Sequence, residues 1–145
     1  MPDLAVFLAG SWRIVRRIHD QRLGMLGRLT GIATFAPAPG GLRYEEQGTL
    51  IWGAYRGHAV RRYEFAITGS ASAEVRFDDG CLFHHLDLSR GVAEVAHLCP
   101  PDRYRGRYRI SGQDHWTVAW QVCGPRKRLA LATRYVRHRA CPDRR

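Results

Sequence analysis

Glu46, Arg61, His84 and His97 carry the most chemical scope in the chain, because each is ionisable and each falls in step with apolar neighbours. Adjacent side chains on a strand point to opposite faces. With Leu42, Tyr44 and Leu50 facing inward, Glu46 faces inward too. With Tyr63, Phe65 and Ile67 inward, Arg61 follows them. The two stretches are consecutive, so the two charges are expected to meet. His97 and Cys99 share the face of Val95, and His84 that of Leu82 and Leu86, while His85 points the other way. A buried charge needs a partner, and a ligand is one such partner. Glu46 or His97 would serve as a general base, with Tyr104 or Arg61 holding an oxyanion. The plainer readings are a structural Glu46–Arg61 ion pair and histidines satisfied within a core. His84, His97 and Cys99 lack a recognised metal-ligand spacing, so no metal is expected. No cofactor is predicted either, haem held by His84 or His97 being the weakest alternative.

Short strands would position these residues. Arg13 to His19 forms the first, with Trp12, Ile14 and Ile18 on one face, Arg13, Arg17 and His19 on the other, and Arg16 breaking the pattern. Leu26–Phe35, Leu42–Trp52, His58–Thr68, Ala73–Phe77, Cys81–Leu88, Val92–Cys99, Tyr104–Ile110, Trp116–Val122 and Leu129–Arg137 follow. Gly27 and Gly31 mark bends in the second strand. Asp78-Asp79-Gly80 reads as a tight hairpin turn. Pro2 or Asp3 starts a single helical turn that lids one end. On the eighth strand Tyr104 and Tyr108 point inward while Arg103, Arg105, Arg107 and Arg109 form a solvated face. Trp116, Trp120 and Val122 point inward on the ninth, and Leu129, Leu131, Thr133, Tyr135 and Arg137 lie together on the tenth.

The 145 residues, 45% hydrophobic and 25% charged, suit one domain over residues 1–138, followed by a basic, frayed tail over 139–145. The net charge of +10 invites a nucleic-acid or acidic partner, but Lys127 is the only lysine, and the arginines are spread along the chain rather than gathered into a patch. That spread argues against a dedicated nucleic-acid site. Lys127 itself reads as a solvated turn residue rather than a gate charge. No apolar run approaches the ~20 residues of a membrane-spanning helix, and Leu4–Leu8 lacks a basic leader, so a cytoplasmic protein is expected. Cys81, Cys99, Cys123 and Cys141 form no Cys-x-x-Cys pair and read as buried free thiols in a reducing compartment.

Gly10-x-Trp12, Tyr44-Glu45-Glu46-x-Gly48, Phe77-x-Asp79-Gly80, Phe83-His84, His97-x-Cys99-x-x-Asp102-x-Tyr104, Trp116, Trp120 and Gly124-Pro125-Arg126-Lys127 form an ordered set. As a set it resembles the bacterial family catalogued as domain of unknown function 6314, from Phe7 to about Arg137. Arg128 departs from the acidic residue expected after the Gly-Pro-Arg-Lys turn. The family is similar to lipocalin and fatty-acid-binding barrels and has no assigned activity. The resemblance also implies that Arg137 or Arg134 of the last strand packs across Trp12 of the first.

The expected fold is therefore all-β: a single antiparallel up-and-down β-barrel of about ten strands with a short N-terminal helical turn. The favoured function is binding of a small, partly apolar molecule with a polar or acidic group. The cavity candidates are Tyr44, Glu46, Arg61, Tyr63, His84, His97, Cys99, Tyr104, Tyr108, Trp116, Trp120 and Tyr135. An enzyme in the same cavity and a basic module for nucleic acid or an acidic partner are the alternatives.

Overall fold

Ten antiparallel strands, joined by hairpin turns in chain order, wrap into a nearly closed barrel in the computed structural model, which describes residues 3–139. They are β1 (Gly10–Asp20), β2 (Met25–Ala38), β3 (Gly41–Trp52), β4 (Tyr55–Ile67), β5 (Ser72–Phe77), β6 (Leu82–Asp87), β7 (Val92–Cys99), β8 (Asp102–Gly112), β9 (His115–Cys123) and β10 (Arg128–Arg137). The ladder runs β6-β5-β4-β3-β2-β1-β10-β9-β8-β7, so the first and last strands are bonded neighbours and the barrel's seam lies between β6 and β7. Closing a sheet on itself removes most of its exposed edge.

Alternation decides which side chains fill the interior. On β1, Trp12, Ile14, Arg16 and Ile18 all face inward, so Arg16 keeps the strand's period rather than breaking it. β2 and β3 come unusually close at Gly31 and Gly48, which are register partners. A Cβ on Gly31 would lie 2.0 Å from the Gln47 carbonyl oxygen, and one on Gly48 2.4 Å from that of Thr30. Only glycine fits that approach, which lets long strands bend round the core.

One end of the barrel is plugged by the five-residue helix α1 (Leu4–Leu8). The Asp3 side chain caps it by accepting from the Ala5 amide at 3.0 Å, and Leu4, Phe7 and Leu8 are buried. Gly10, at φ 107°, turns the chain from the plug into β1. Trp12, fully buried, donates its indole N–H to the Leu8 carbonyl at 2.8 Å. Arg137, its register partner on β10, lays its guanidinium 4.1 Å from the Trp12 ring centroid. The same guanidinium donates to the carbonyls of Phe7 and Ala9. The orphan carbonyls of a short helix are thus satisfied by the two residues that close the barrel. Arg134 points outward and plays no part in this.

One expectation needs correction. Cys81, Cys99 and Cys123 are free but exposed rather than buried, because each lies at a strand end or turn beside the open mouth. Cys141 and most of the tail expected from residue 139 lie outside the described residues, and Arg139 itself pairs with Asp114.

Candidate functional site

The interior divides into a sealed polar layer and an open aromatic chamber. In the sealed layer Arg16 Nη1 donates to Glu46 Oε2 at 2.6 Å and Nη2 to Oε1 at 2.9 Å, a bidentate pair, while Nε donates to Thr133 Oγ1 at 2.8 Å. Both partners are almost fully buried. Tyr44 donates to Glu46 Oε1 at 2.5 Å, which leaves Tyr135 to donate to the Tyr44 hydroxyl at 2.8 Å. Burial opposes the charge on Glu46, but the hydrogen bonds and charge of Arg16 outweigh it and hold the carboxyl below its ordinary range. Burial pushes the Tyr135 hydroxyl up to about 12 and raises Tyr44 and Tyr108 as well, so all three phenols are neutral donors.

The expected Glu46–Arg61 pair is therefore replaced by Glu46–Arg16. Arg61 is the register partner of Glu46, and its charge helps hold the carboxyl ionised, but it makes no ion pair among the described residues. The reason is position: Arg16 is deeply buried, whereas Arg61 is exposed to solvent. A carboxylate can satisfy only one guanidinium bidentately, and the buried one gains more from it.

The chamber opens at the end away from α1. It has a volume of about 360 Å³ and is walled by Tyr63, Phe77, Phe83, His97, Tyr104 and Trp120, with Leu129, Leu131 and Val122 completing the apolar part and Arg61 and Cys99 at the rim. Three of its aromatics lie nearly parallel, Phe83 being 5.0 Å from Trp120 at 16° and 5.7 Å from Tyr63 at 18°, while Tyr104 stands at 87° to Phe83. His97 stands edge-on to Phe83 and Phe77. A void of about 40 Å³ lies deeper, between the chamber and the Arg16–Glu46 layer, and shares Arg61, Tyr63, Phe83, Trp120 and Leu131 with the chamber.

His84 is buried at 3% exposure with both ring nitrogens engaged, Nδ1 with the His85 carbonyl at 3.0 Å and Nε2 with the Tyr108 hydroxyl at 3.0 Å. Burial lowers its pKa to about 4, so the ring is neutral. No three His, Cys, Asp or Glu side chains converge as a metal site among the described residues, and His84, His97 and Cys99 do not meet as a ligand set. Trp116 stacks flat on Tyr135 at 3.7 Å, deep in the core. Of the candidate residues, Arg61, Tyr63, His97, Cys99, Tyr104 and Trp120 come together at the chamber, while Tyr44, Glu46, Tyr108, Trp116 and Tyr135 line the deeper void.

Arg16, Phe77 and Phe83 escaped sequence reasoning as interior site residues. Arg16 sits on the inward period of β1, and that period was the signal that could have found it. Phe83 is buried beside His84 because the β5–β6 ladder slips by one residue there, turning two successive side chains inward. A bulge of that kind leaves no mark in the alternation.

A family model described as "Family of unknown function (DUF6314)" matches residues 8–137. A search of curated protein sequences returned no match. Among solved structures the barrel is similar to the S-type phycobiliprotein lyase CPES from Guillardia theta, at TM-score 0.67 and 9% identity over 94% of this chain and 91% of that one. It is similar to a DUF3598-family protein of unknown function from Nostoc punctiforme, at TM-score 0.61 and 13% identity over 94% of this chain and 51% of the other. The chain called EF1p2_mFAP2b, solved bound to DFHBI, superposes at TM-score 0.51 and 12% identity over 92% and 96% of the two chains. At such identities the likeness is one of fold.

Proposed function

Because the chain belongs to DUF6314, a family of unknown function, its role has to be argued from its own cavity, and we propose that the barrel binds a small, flat, partly apolar molecule with an acidic group in the chamber at its open end. The observation that carries this reading is Arg61: a cation with no ion-pair partner among the described residues, at the rim of a chamber otherwise built of aromatic and aliphatic walls. Pockets of this kind bind through apolar area and take orientation from a few placed polar groups. The parallel planes of Tyr63, Phe83 and Trp120 favour a flat ligand, because offset stacking adds to area burial. One similar barrel is a phycobiliprotein lyase and another was solved bound to DFHBI, which supports a ligand-holding role for the barrel here.

A binding role fits the residues better than catalysis. Glu46 accepts three hydrogen bonds and is held ionised, so it is a poor general base, and it lies beneath the chamber rather than on it. Three exposed free thiols suit a reducing compartment, which supports a cytoplasmic location. Among the described residues, no helix is long and apolar enough to cross a membrane.

The test is a paired titration with 8-anilinonaphthalene-1-sulfonate and its neutral analogue N-phenyl-1-naphthylamine, followed by dye emission and tryptophan quenching. Both dyes should bind the wild-type protein. Arg61→Met should weaken the sulfonate about tenfold or more, the loss of one charge-assisted contact, and leave the neutral dye unchanged. Equal affinity of both variants for the sulfonate contradicts the role given to Arg61.

A further inference from the structure

The outer surface of the barrel carries its charges unevenly. Outside β3, β4 and β5 every arginine but Arg56 is paired: Arg43 Nε donates to Glu64 at 3.1 Å, Arg62 to Glu45 at 2.7 Å and Arg76 to Glu74 at 3.2 Å. Outside β2, β1, β10, β9 and β8 they are not. Arg17, Arg28, Arg105 and Arg107 are exposed and make no ion pair among the described residues. Closure of β1 on β10 brings Arg17, Arg28, Arg105 and Arg107, far apart in sequence, onto one face.

That face is hollowed into an open trough of about 1110 Å³. Register aligns Arg107, Ala119, Ala132, Arg17 and Arg28 in one row across the sheet, and Arg105, Gln121, Ala130 and His19 in the next. The floor along β9 and β10 is thus Ala119, Ala130 and Ala132 with Gln121, and the walls are Arg105 and Arg107 on β8 and Arg17 and His19 on β1. Three strand spacings separate those walls, ~14 Å between backbones, which admits an α-helix of roughly 10–12 Å diameter. Successive outward arginines on β8 are ~6.8 Å apart, close to the roughly 5–6 Å between side chains one turn apart on a helix.

We propose that this trough docks an acidic amphipathic helix of a partner protein, with the helix's apolar stripe on Ala119, Ala130 and Ala132 and its carboxylates against Arg17, Arg28, Arg105 and Arg107. Charge complementarity asks for an anion, and the apolar floor favours a helix over a polynucleotide. The floor side chains Ala119, Ala130 and Ala132 offer bases no ring to stack on. Arginine recognises planar carboxylates bidentately, which suits it to this wall. The site is independent of the chamber, which lies on the other side of the sheet.

The experiment is a methyl-NMR and anisotropy titration of the whole protein with a synthetic Glu/Leu amphipathic helical peptide. A single-stranded oligonucleotide of equal charge serves as the competing probe. The peptide should shift the methyls of Ala119, Ala130 and Ala132, and bind at least about tenfold more weakly to the Arg17→Gln/Arg107→Gln variant. Ala132→Glu, which puts a charge on the floor, should weaken it similarly, while Arg43→Gln/Arg62→Gln on the opposite face should leave it unchanged. All of these positions are exposed, and thermal melts of the variants confirm folding. Any of four results overturns the proposal: no peptide binding, equal weakening by the opposite-face variant, full retention in Arg17→Gln/Arg107→Gln, or tighter binding of the oligonucleotide than of the peptide.

Discussion

Besides Arg137 at the plug, two arginines face the interior, and their environments assign them opposite roles. Arg16 is sealed in a bidentate pair with Glu46, so Arg16→Met strands a buried carboxylate and should cost about 3–5 kcal/mol in chemical denaturation. Arg61 is exposed at the rim with no ion pair among the described residues, so Arg61→Met should cost less than about 1 kcal/mol, within the range of surface positions. If the two losses were equal, the division between sealed layer and open chamber would fail. His84 gives a pH signature at the same scale. Its ring titrates at 6.5 when unfolded and about 4 in the barrel. Above the unfolded value the ring is neutral in both states and contributes nothing. As pH falls from 6.5 towards 4, the unfolded chain takes up a proton the barrel refuses, so stability declines by on the order of 3 kcal/mol. Denaturation midpoints of His84→Gln should be flatter than wild type across that window. Glu46 acts lower: its folded pKa is depressed, so its contribution is present above the unfolded carboxylate value and lost as pH falls below it. Facing rules placed Glu46, Arg61 and His97 inside from sequence, but not who pairs with whom. Pairing across the interior depends on the depth each side chain reaches, which alternation along a strand does not encode.

Elements were more legible than residues. Strand periods and the turns at Gly40-Gly41, Asp79-Gly80 and Gly124-Pro125 located all ten strands and the plug, since turn chemistry and alternation are local. The seam between β6 and β7 was not legible, because nothing local records which two strands fail to pair. That seam predicts dynamics. Amides on the facing edges of β6 and β7 lack ladder partners and should exchange with deuterium faster than those of β1 and β10, whose ladder runs from Trp12 to Asp20. Equal protection at the seam would mean the barrel closes there in solution. The Gly31–Gly48 crossing predicts a cost of its own: a methyl on Gly48 meets the Thr30 carbonyl, and Gly48→Ala should destabilise by about 1–3 kcal/mol, as overpacking does. Trp12→Ala, which removes the plug's anchor and the surface under Arg137, should cost about 3–5 kcal/mol in the same denaturation assay.

At the scale of the molecule the barrel presents a sealed end, an open aromatic chamber with one unpaired cation at its rim, and a basic outer wall. Net charge alone suggested a polyanion partner and the spread of arginines argued against one. The fold brings Arg17, Arg28, Arg105 and Arg107 together on one outer face, which no count along the chain reveals. The central claim, that the chamber holds a small acidic molecule through Arg61, is tested most directly by native mass spectrometry of freshly purified protein, wild type beside Arg61→Met, each soaked with the same anionic and neutral naphthalene probes. Wild type should carry a stoichiometric non-covalent adduct, from a co-purified molecule or from the sulfonate, and Arg61→Met should lose it with the melting temperature unchanged. A wild-type protein that carries no adduct under either condition, or an Arg61→Met variant that keeps the anionic adduct in full, would contradict it.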